Sequence, residues 1–217
     1  MKLKDRILRK LDSRRQPKGQ SLVEMVILFP VLLIVLSGLV EFGFMLNDYL
    51  AILDAARNAA RFSSDGLYSS TDTNHNCGST VDFYRQTACL VIQELDQEKP
   101  NISIEPDEHD DIVISAFSVL TGSGIVRRHP EIYGEQGWSY ALDLPSHGVR
   151  ERSSGISNSY VNGKLDASAP STGLLLVEIY YTYDMKLALP WITAFMGNPV
   201  TLHVYSFMPL VSAEPRD

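Results

Sequence analysis

From Met25 to Leu46 the chain reads MVILFPVLLIVLSGLVEFGFML, and the single charged residue in these 22 positions is Glu41. At a rise of about 1.5 Å per residue, a helix of this length crosses a hydrocarbon core of roughly 30 Å. The alternative is a helix buried in a soluble core, but such helices seldom run this long without a polar face. The stretch therefore predicts one transmembrane helix.

Charge is divided unevenly on the two sides of this span. Residues 1–19 carry eight basic and two acidic side chains, whereas the rest of the chain carries 11 basic and 24 acidic ones. A basic arm can indicate nucleic acid or a membrane, and the adjacent apolar span favours the membrane over nucleic acid. Because basic residues stay on the cytoplasmic side, we expect the N-terminus inside and the C-terminus outside.

The helix is predicted to continue past the membrane. The stretch from Asn47 to Phe62 has one apolar side and five alanines, and Asp54 precedes Arg57 at a spacing that lets side chains meet on one face. Gly66 follows as a plausible C-terminal signal. We therefore expect one helix from about Ser21 to Phe62, kinked by Pro30.

The part after this helix is predicted to be α+β, with the long helix packed on an antiparallel sheet of about four strands. Alternating apolar residues and β-branched side chains indicate strands at Asn101–Glu105, Ile112–Val119, Leu174–Tyr183 and Pro199–Val211. The residues 106–110 are interpreted as a hairpin turn between the first two of these strands. Short helices are predicted near 81–94 and 191–196.

Three regions follow from these patterns: a basic leader at 1–19, the long helix at 20–66 and an extracytoplasmic domain at 67–217. Within that domain, residues 121–172 look like an insertion, because 19 of the 52 residues are Gly, Ser or Pro and no clear period is present. A loop this long is usually functional or disordered. It is expected to be the most mobile and protease-sensitive part of the domain.

No pattern of catalytic or metal-ligating residues holds together. The stretch Gly155-Ile-Ser-Asn-Ser159 lacks the second glycine of a nucleophile elbow. The acidic residues at 107, 108, 110 and 111 lack the spacing of a calcium loop and are interpreted as a solvated turn. The histidines at 109, 129, 147 and 203 are scattered, as surface or core histidines are. We expect no cofactor and no metal.

The two cysteines, Cys77 and Cys89, both lie in the predicted outer region. An even number of cysteines in an oxidising compartment favours a disulfide, with buried free thiols as the alternative. A zinc site is disfavoured because these two residues and His75 do not supply four ligands at a recognised spacing.

The carboxylate of Glu24 stands at the start of an otherwise apolar span. A charge inside a bilayer is expensive, so such residues usually pair with a specific group, although an acid at head-group depth is the simpler interpretation. The preceding leader ends in Lys18-Gly19 and continues Gln20-Ser-Leu-Val-Glu24. This pattern resembles the type IV prepilin signal, in which a prepilin peptidase cuts after the glycine and leaves the apolar helix attached.

The resemblance extends further along the helix. Together, the Gly19–Glu24 stretch, Pro30, Glu41-Phe42-Gly43 and the alanine-arginine stretch Ala55–Arg61 are similar to the TadE-like family of pilus-assembly pseudopilins. This resemblance implies a minor pilin or pseudopilin of a tight-adherence (Tad, or Flp) pilus system, held in the bacterial cytoplasmic membrane. Its partners would be other pilus subunits and the prepilin peptidase, and the protein itself would not be an enzyme.

The same resemblance assigns roles to three residues. Cleavage between Gly19 and Gln20 would create a new amine on Gln20, and that cation could pair with Glu24 of a neighbouring subunit. Such a pair would neutralise a costly charge on assembly and set the axial register. The alternative is an unprocessed single-pass protein whose outer domain binds a ligand; a membrane-tethered hydrolase is more remote.

Overall fold

The computed structural model of the protein describes residues 20–66, 82–168 and 170–215. Its first element is helix α1, Gln20–Ser63, whose 44 residues span roughly 66 Å. The helix continues without a break across Pro30, and the backbone N–H of Gly66 donates to the Ser63 carbonyl at 2.9 Å where it ends. The predicted long helix is confirmed.

A second helix, α2 (Phe83–Glu98), lies antiparallel to the C-terminal half of α1. Asp82 caps it by accepting a hydrogen bond of 2.7 Å from the backbone N–H of Arg85. Two side-chain contacts fix the pairing of the helices: Thr87 donates to Ser63 at 2.8 Å, and Asn58 donates to Glu94 at 3.2 Å. The apolar face of α2 thereby joins the same core as α1.

The rest of the domain is a five-stranded antiparallel sheet with short helices in its connections. The strands are β1 (Asp111–Leu120), β2 (Gly124–His129), β3 (Trp138–Ser139), β4 (Thr172–Tyr183) and β5 (Val200–Pro209). The short helices are α3 (Tyr140–Asp143), α4 (Asn158–Asn162) and α5 (Pro190–Met196). The sheet order is β2-β1-β4-β5, and β3 also pairs with β1. The predicted α+β class is therefore confirmed.

One face of this sheet packs against α1 and α2. It carries the alternate residues of β4 that the sequence places together, from Leu175 to Tyr183, together with Leu202 and Val204 of β5. The side of α1 that meets them carries Ile52 and a set of small residues, which are all nearly or fully buried: Ala51, Ala55, Ala56, Ala59 and Ala60. Small side chains allow the helix to approach the sheet closely, so the alanines serve packing as well as helix propensity.

The predicted strand at Asn101–Glu105 is wrong, because the structure has no strand there. Ile102 is nonetheless buried, as the alternation suggested. Both edges of β1 are already occupied, one by β4 and the other by β2 and β3, so β1 offers no free edge for the predicted hairpin. Residues Pro106–Glu108 form a single turn of 3-10 helix in front of β1 rather than a hairpin turn.

The glycine- and serine-rich region 121–172 covers the second face of the sheet. It contributes β2, β3, α3 and α4, and its buried residues Ile156 and Val161 pack on Phe117 and Leu176. The interpretation of residues 121–172 as one long loop is thus wrong for much of this region. Its apolar anchors are single residues separated by turns, which is why no period is visible in the sequence.

Candidate functional site

The carboxylate of Glu41 joins the long helix to the C-terminal end of β4 and the turn that follows it. Its oxygens accept three hydrogen bonds: 2.7 Å from the Tyr183 hydroxyl, 2.9 Å from the Lys186 backbone N–H and 2.7 Å from the Leu187 backbone N–H. The side chain is only 3 % exposed. Buried carboxylates require such donors, and charge-assisted hydrogen bonds of this kind are among the strongest in proteins.

Two local features place these groups together. Glu41 is the first buried residue of α1 from Ser21 onward, and it begins a stripe with helical spacing that continues through Met45, Asp48, Ile52, Ala55 and Ala59. After β4 the chain turns sharply, with Ala188 at a φ of 46°, and the backbone N–H groups of this turn point at the carboxylate. Burial raises the pKa of the Tyr183 hydroxyl, so it stays protonated and can donate.

The segment after this turn makes a second contact with α1. The indole N–H of Trp191 donates to the Ser37 hydroxyl at 3.1 Å, one helical turn before Glu41. Ile192 is buried in the core, while the other large apolar side chains of α5 are exposed. The chain therefore holds α1 at two successive levels, Ser37 and Glu41.

Before Ser37, α1 leaves the domain altogether. Every described side chain from Ser21 to Leu36 is exposed, including Glu24 and the surrounding apolar residues. This is the one helix in the described residues that is long and apolar enough to cross a membrane. Together with its position near the N-terminus, this indicates a single-pass membrane anchor.

Of the proposed processing and assembly residues, Glu24 lies on the exposed half of α1, and Gln20 is the first residue of the helix. Gly19 lies outside the described residues. Glu24 stands 17 residues before Glu41, or roughly 26 Å along the axis. The two glutamates of the helix thus occupy different surroundings: Glu41 is enclosed by the domain, and Glu24 lies on the exposed half of the helix.

The acidic residues around position 110 are not a solvated turn, and that interpretation is corrected for two of them. Asp110 and Asp111 are almost completely buried. Asp110 accepts from the backbone N–H groups of Glu105 and Thr182, at 3.1 and 2.6 Å. Burial raises the pKa of Asp110 to about 6 and also raises that of Asp111.

Asp111 and Glu178 attach the region 121–172 to the sheet. Asp111 accepts from the Ser139 hydroxyl and from the backbone N–H groups of Ala141 and Arg152, at 2.7, 3.0 and 3.0 Å. Glu178 is fully buried. It accepts hydrogen bonds from the Ser154 hydroxyl, the Gly155 backbone N–H and His203. The arrangement binds loops rather than a substrate, because these carboxylates are taken up by protein donors.

Two of the scattered histidines share a carboxylate. His147 contacts Glu151 at 2.9 Å and Asp107 at 3.1 Å, and His109 contacts the other oxygen of Glu151 at 2.5 Å. The hydrogen bond to Glu151 raises the pKa of His147, and the hydrogen bond to His109 lowers that of Glu151. Across the described ranges, no group of three His, Cys, Asp or Glu side chains is arranged to hold a metal ion.

The disulfide hypothesis concerns one residue inside and one outside the described chain. Cys89 lies half-buried in the middle of α2, whereas Cys77 lies outside the described residues. The pairing therefore stays a prediction.

The comparison with known proteins concerns the N-terminal part of the chain, which is almost entirely α1. Residues 19–61 match the TadE-like protein family. This agrees with the resemblance that the sequence suggested, and it indicates a protein associated with Tad pilus assembly. No curated protein and no solved structure matches the chain.

Sequence reasoning missed the role of Glu41, although it is the one charge inside an apolar run. That interruption was a usable signal, because an acid at such a position needs donors. Its donors come from a turn 145 positions further along the chain, and no local pattern points to them. Trp191 gave a weaker signal, as one of only two tryptophans.

Proposed function

We propose that this protein is a minor pilin or pseudopilin of a Tad-type pilus assembly or secretion system, which acts by helix packing and display and not by catalysis. The observation that carries the proposal is the family match over residues 19–61, which covers the proposed processing site and nearly all of α1. The hydrogen bonds between Glu41 and the end of the sheet support this proposal. They hold the exposed half of the helix in a fixed direction relative to the domain.

The exposed half of α1 is the packing surface in this proposal. Its side chains from Met25 to Leu36 are all apolar and all exposed. In the membrane they face lipid, and in a filament they would face the same helix of other subunits. We propose that the domain lies outside the cytoplasmic membrane, as the basic leader at 1–19 favours.

The processing step is tested at the N-terminus of the mature protein. The full chain is expressed in bacteria with and without an active prepilin peptidase, and the membrane-bound product is analysed by intact mass and N-terminal sequencing. We expect Gln20 as the new first residue only when the peptidase is present. Replacing Gly19 with Leu should leave the full-length, membrane-inserted precursor, because the side chain would obstruct the peptidase cleft.

Gly38 supplies the matched control, since a Cβ added there meets no atom within 4 Å. Gly38→Leu places the same side chain within α1, away from the proposed cleavage site, and should be processed like the parent. If the parent keeps residues 1–19 in cells with an active peptidase, the pseudopilin proposal is wrong. An unprocessed membrane-anchored binding protein is then the better account.

A further inference from the structure

The segment Leu187–Met196, here called the foot, exposes several large apolar side chains. Phe195 is 90 % exposed, Met196 51 %, and Leu187 and Trp191 39 % each. The foot is nevertheless fixed in place, because Ile192 is buried in the core and the backbone of Leu187 is bound by Glu41. Single exposed apolar residues are ordinary, but four within ten positions of an anchored segment mark a contact surface.

The position of the foot along α1 says what it contacts. Trp191 bonds to Ser37, which lies 16 residues, or about 24 Å, beyond Ser21. The domain encloses α1 from Glu41 onward, and a hydrocarbon core of roughly 30 Å that ends there begins near Ser21, 20 residues earlier. Ser37 then lies about one helical turn inside the boundary on the domain's side. The exposed apolar surface of the foot is therefore continuous with the exposed apolar surface of the membrane-spanning half of α1.

The residue types of the foot are those found at the boundary between the hydrocarbon core and water. No charged side chain occurs from Leu187 to Leu202, whereas Asp184 and Lys186 come immediately before. Trp and Lys favour the membrane interface, where the indole ring or the long alkyl stem meets apolar chains and the polar end stays hydrated. The Nζ of Lys186, the residue just before the foot, lies 5.7 Å from the centre of the Tyr183 ring.

We propose that the foot is a second membrane attachment, with Trp191, Phe195 and Met196 inserted among lipids at the interface on the domain's side of the bilayer. The proposal rests on α1 as a membrane anchor and not on the pilin function. The hydrogen bonds to Ser37 and Glu41 fix the foot to α1, so the domain has one tilt and one height above the bilayer. A surface that holds one side of the domain against lipid also determines which side faces away.

Tryptophan fluorescence tests this, because the chain has two tryptophans in opposite surroundings. Trp138 is 4 % exposed inside the domain, and Trp191 is in the foot. The full-length protein is reconstituted at low density in phosphatidylethanolamine–phosphatidylglycerol vesicles that contain brominated lipid. We expect bromine near the head-group end of the acyl chain to quench the parent more than bromine near the methyl end. Trp191→Phe should lose at least about half of that quenching.

A pair of charge variants tests the remaining side chains of the foot. Phe195→Asp with Met196→Asp should lower the quenching of Trp191, because charged groups keep the foot out of the interface. Ile132→Asp with Val211→Asp is the matched control, since these residues are also exposed, at 81 % and 66 %, but lie outside the foot. Neither pair should change unfolding in detergent, where no bilayer is present.

Equal quenching of the parent and Trp191→Phe would overturn the proposal. So would a contribution of Trp191 to the quenching that is no greater with bromine near the head-group end of the acyl chain than with bromine near its methyl end, since the foot would then not lie at the interface. The N-terminal processing experiment is independent of these results. If the foot does not contact lipid, the proposed pilin function is therefore unaffected.

Discussion

Tyr183, at the end of β4, donates a hydrogen bond of 2.7 Å to Glu41 of α1, which lies 142 positions earlier in the chain. This contact places the end of the sheet beside the point where the helix emerges from the domain. Two backbone N–H groups share the same carboxylate, so a single side chain holds strand end, turn and helix together. The direction in which the exposed half of α1 leaves the domain depends on this junction.

Replacing Glu41 with Gln should destabilise the domain without affecting membrane insertion. The amide has one acceptor oxygen in place of two and turns its NH₂ toward the N–H donors, so at least one buried donor loses its partner. We expect a loss on the order of 2–4 kcal/mol in the free energy of unfolding. Urea unfolding of the full chain in detergent, followed by near-UV circular dichroism, measures it.

Tyr183→Phe removes one of the three donors and keeps the ring, so its cost should be smaller, at about 1 kcal/mol. In the double variant the two losses should not add, because both act on one hydrogen bond. Glu24→Gln is the matched control, since it makes the same chemical change on the exposed half of the helix. Equal unfolding of Glu41→Gln and the control would show that the junction contributes nothing to stability.

Replacing Glu24 with Gln should instead impair assembly. The variant should insert and be processed, because the change makes the span more apolar, but it removes the carboxylate proposed to pair with the Gln20 amine of a neighbouring subunit. Pilus output and co-isolation with other pilus subunits are the measurements. Asp54→Asn removes the same charge from an exposed site on α1 and serves as the control. Assembly of Glu24→Gln at the parent's level would make Glu24 an ordinary interfacial acid.

The elements of this fold that local pattern could predict are those whose burial is regular. α1 follows from an apolar run with one charged residue and from an alanine stripe, and the alternation of β4 from Leu175 to Tyr183 matches the observed core. Each residue in these elements faces one environment at a fixed period, so the sequence carries the signal many times over.

The pairing of strands and the hydrogen bonds of buried carboxylates could not be predicted from local sequence patterns. The segment from Asn101 to Glu105 alternates like a strand, yet β1 has no edge left for it, and edge occupancy is a property of the whole sheet. Asp111 and Glu178 find their donors in a region with no period, where the partners are one hydroxyl or one backbone N–H at a time. The acid-rich sequence around position 110 resembles a solvated turn until those partners are known.

Limited trypsin digestion should separate the anchored and exposed parts of the region 121–172. Cleavage should come first after Lys164, which is exposed, and later after Arg152, whose backbone N–H and guanidinium are both bound. The sequence-based expectation is that all of residues 121–172 is protease-sensitive, whereas the structure predicts that only the exposed parts are cut early. Cleavage after Arg152 as fast as after Lys164 would contradict the anchoring.

Glu178→Ala should abolish that difference. The substitution leaves the buried partners of the carboxylate without an acceptor, which costs on the order of 2–4 kcal/mol and loosens the segment around Ser154. Trypsin should then reach Arg152 earlier in the digestion. Glu131→Ala is the control, because its side chain is 63 % exposed in the same region, and it should leave the order of cleavage unchanged.

The predicted Cys77–Cys89 disulfide can be tested by mass and by stability. Protein isolated under oxidising conditions should react with an alkylating reagent only after reduction. Cys77→Ser and Cys89→Ser should each lower the free energy of unfolding by on the order of 3 kcal/mol, and a reductant should destabilise the parent but neither variant. Two thiols that react without reduction would show that the bond is absent.

The histidine–carboxylate cluster predicts a pH-dependent attachment of the segment around His147 to the turn at Asp107. Hydrogen bonding to Glu151 raises the pKa of His147, so its contribution is fully present below the unfolded value of about 6.5 and is lost as pH rises through the folded value. The lowered pKa of Glu151 gives the opposite dependence, with a contribution present above about 4.5 and lost in acid. The attachment should therefore be tightest between about pH 4.5 and 6.5.

Histidine proton chemical shifts and amide hydrogen exchange around residue 147, followed from pH 5 to 8, provide the measurement. Exchange corrected for its intrinsic pH dependence should quicken as His147 deprotonates. His147→Gln should give a flat profile over this range, while buried Asp110, which is common to both proteins, contributes equally to each. His129 offers an internal contrast, because burial lowers its pKa and it should titrate at lower pH than His147. If His147 titrates no higher than His129 and exchange is unchanged across the range, the cluster does not hold this segment.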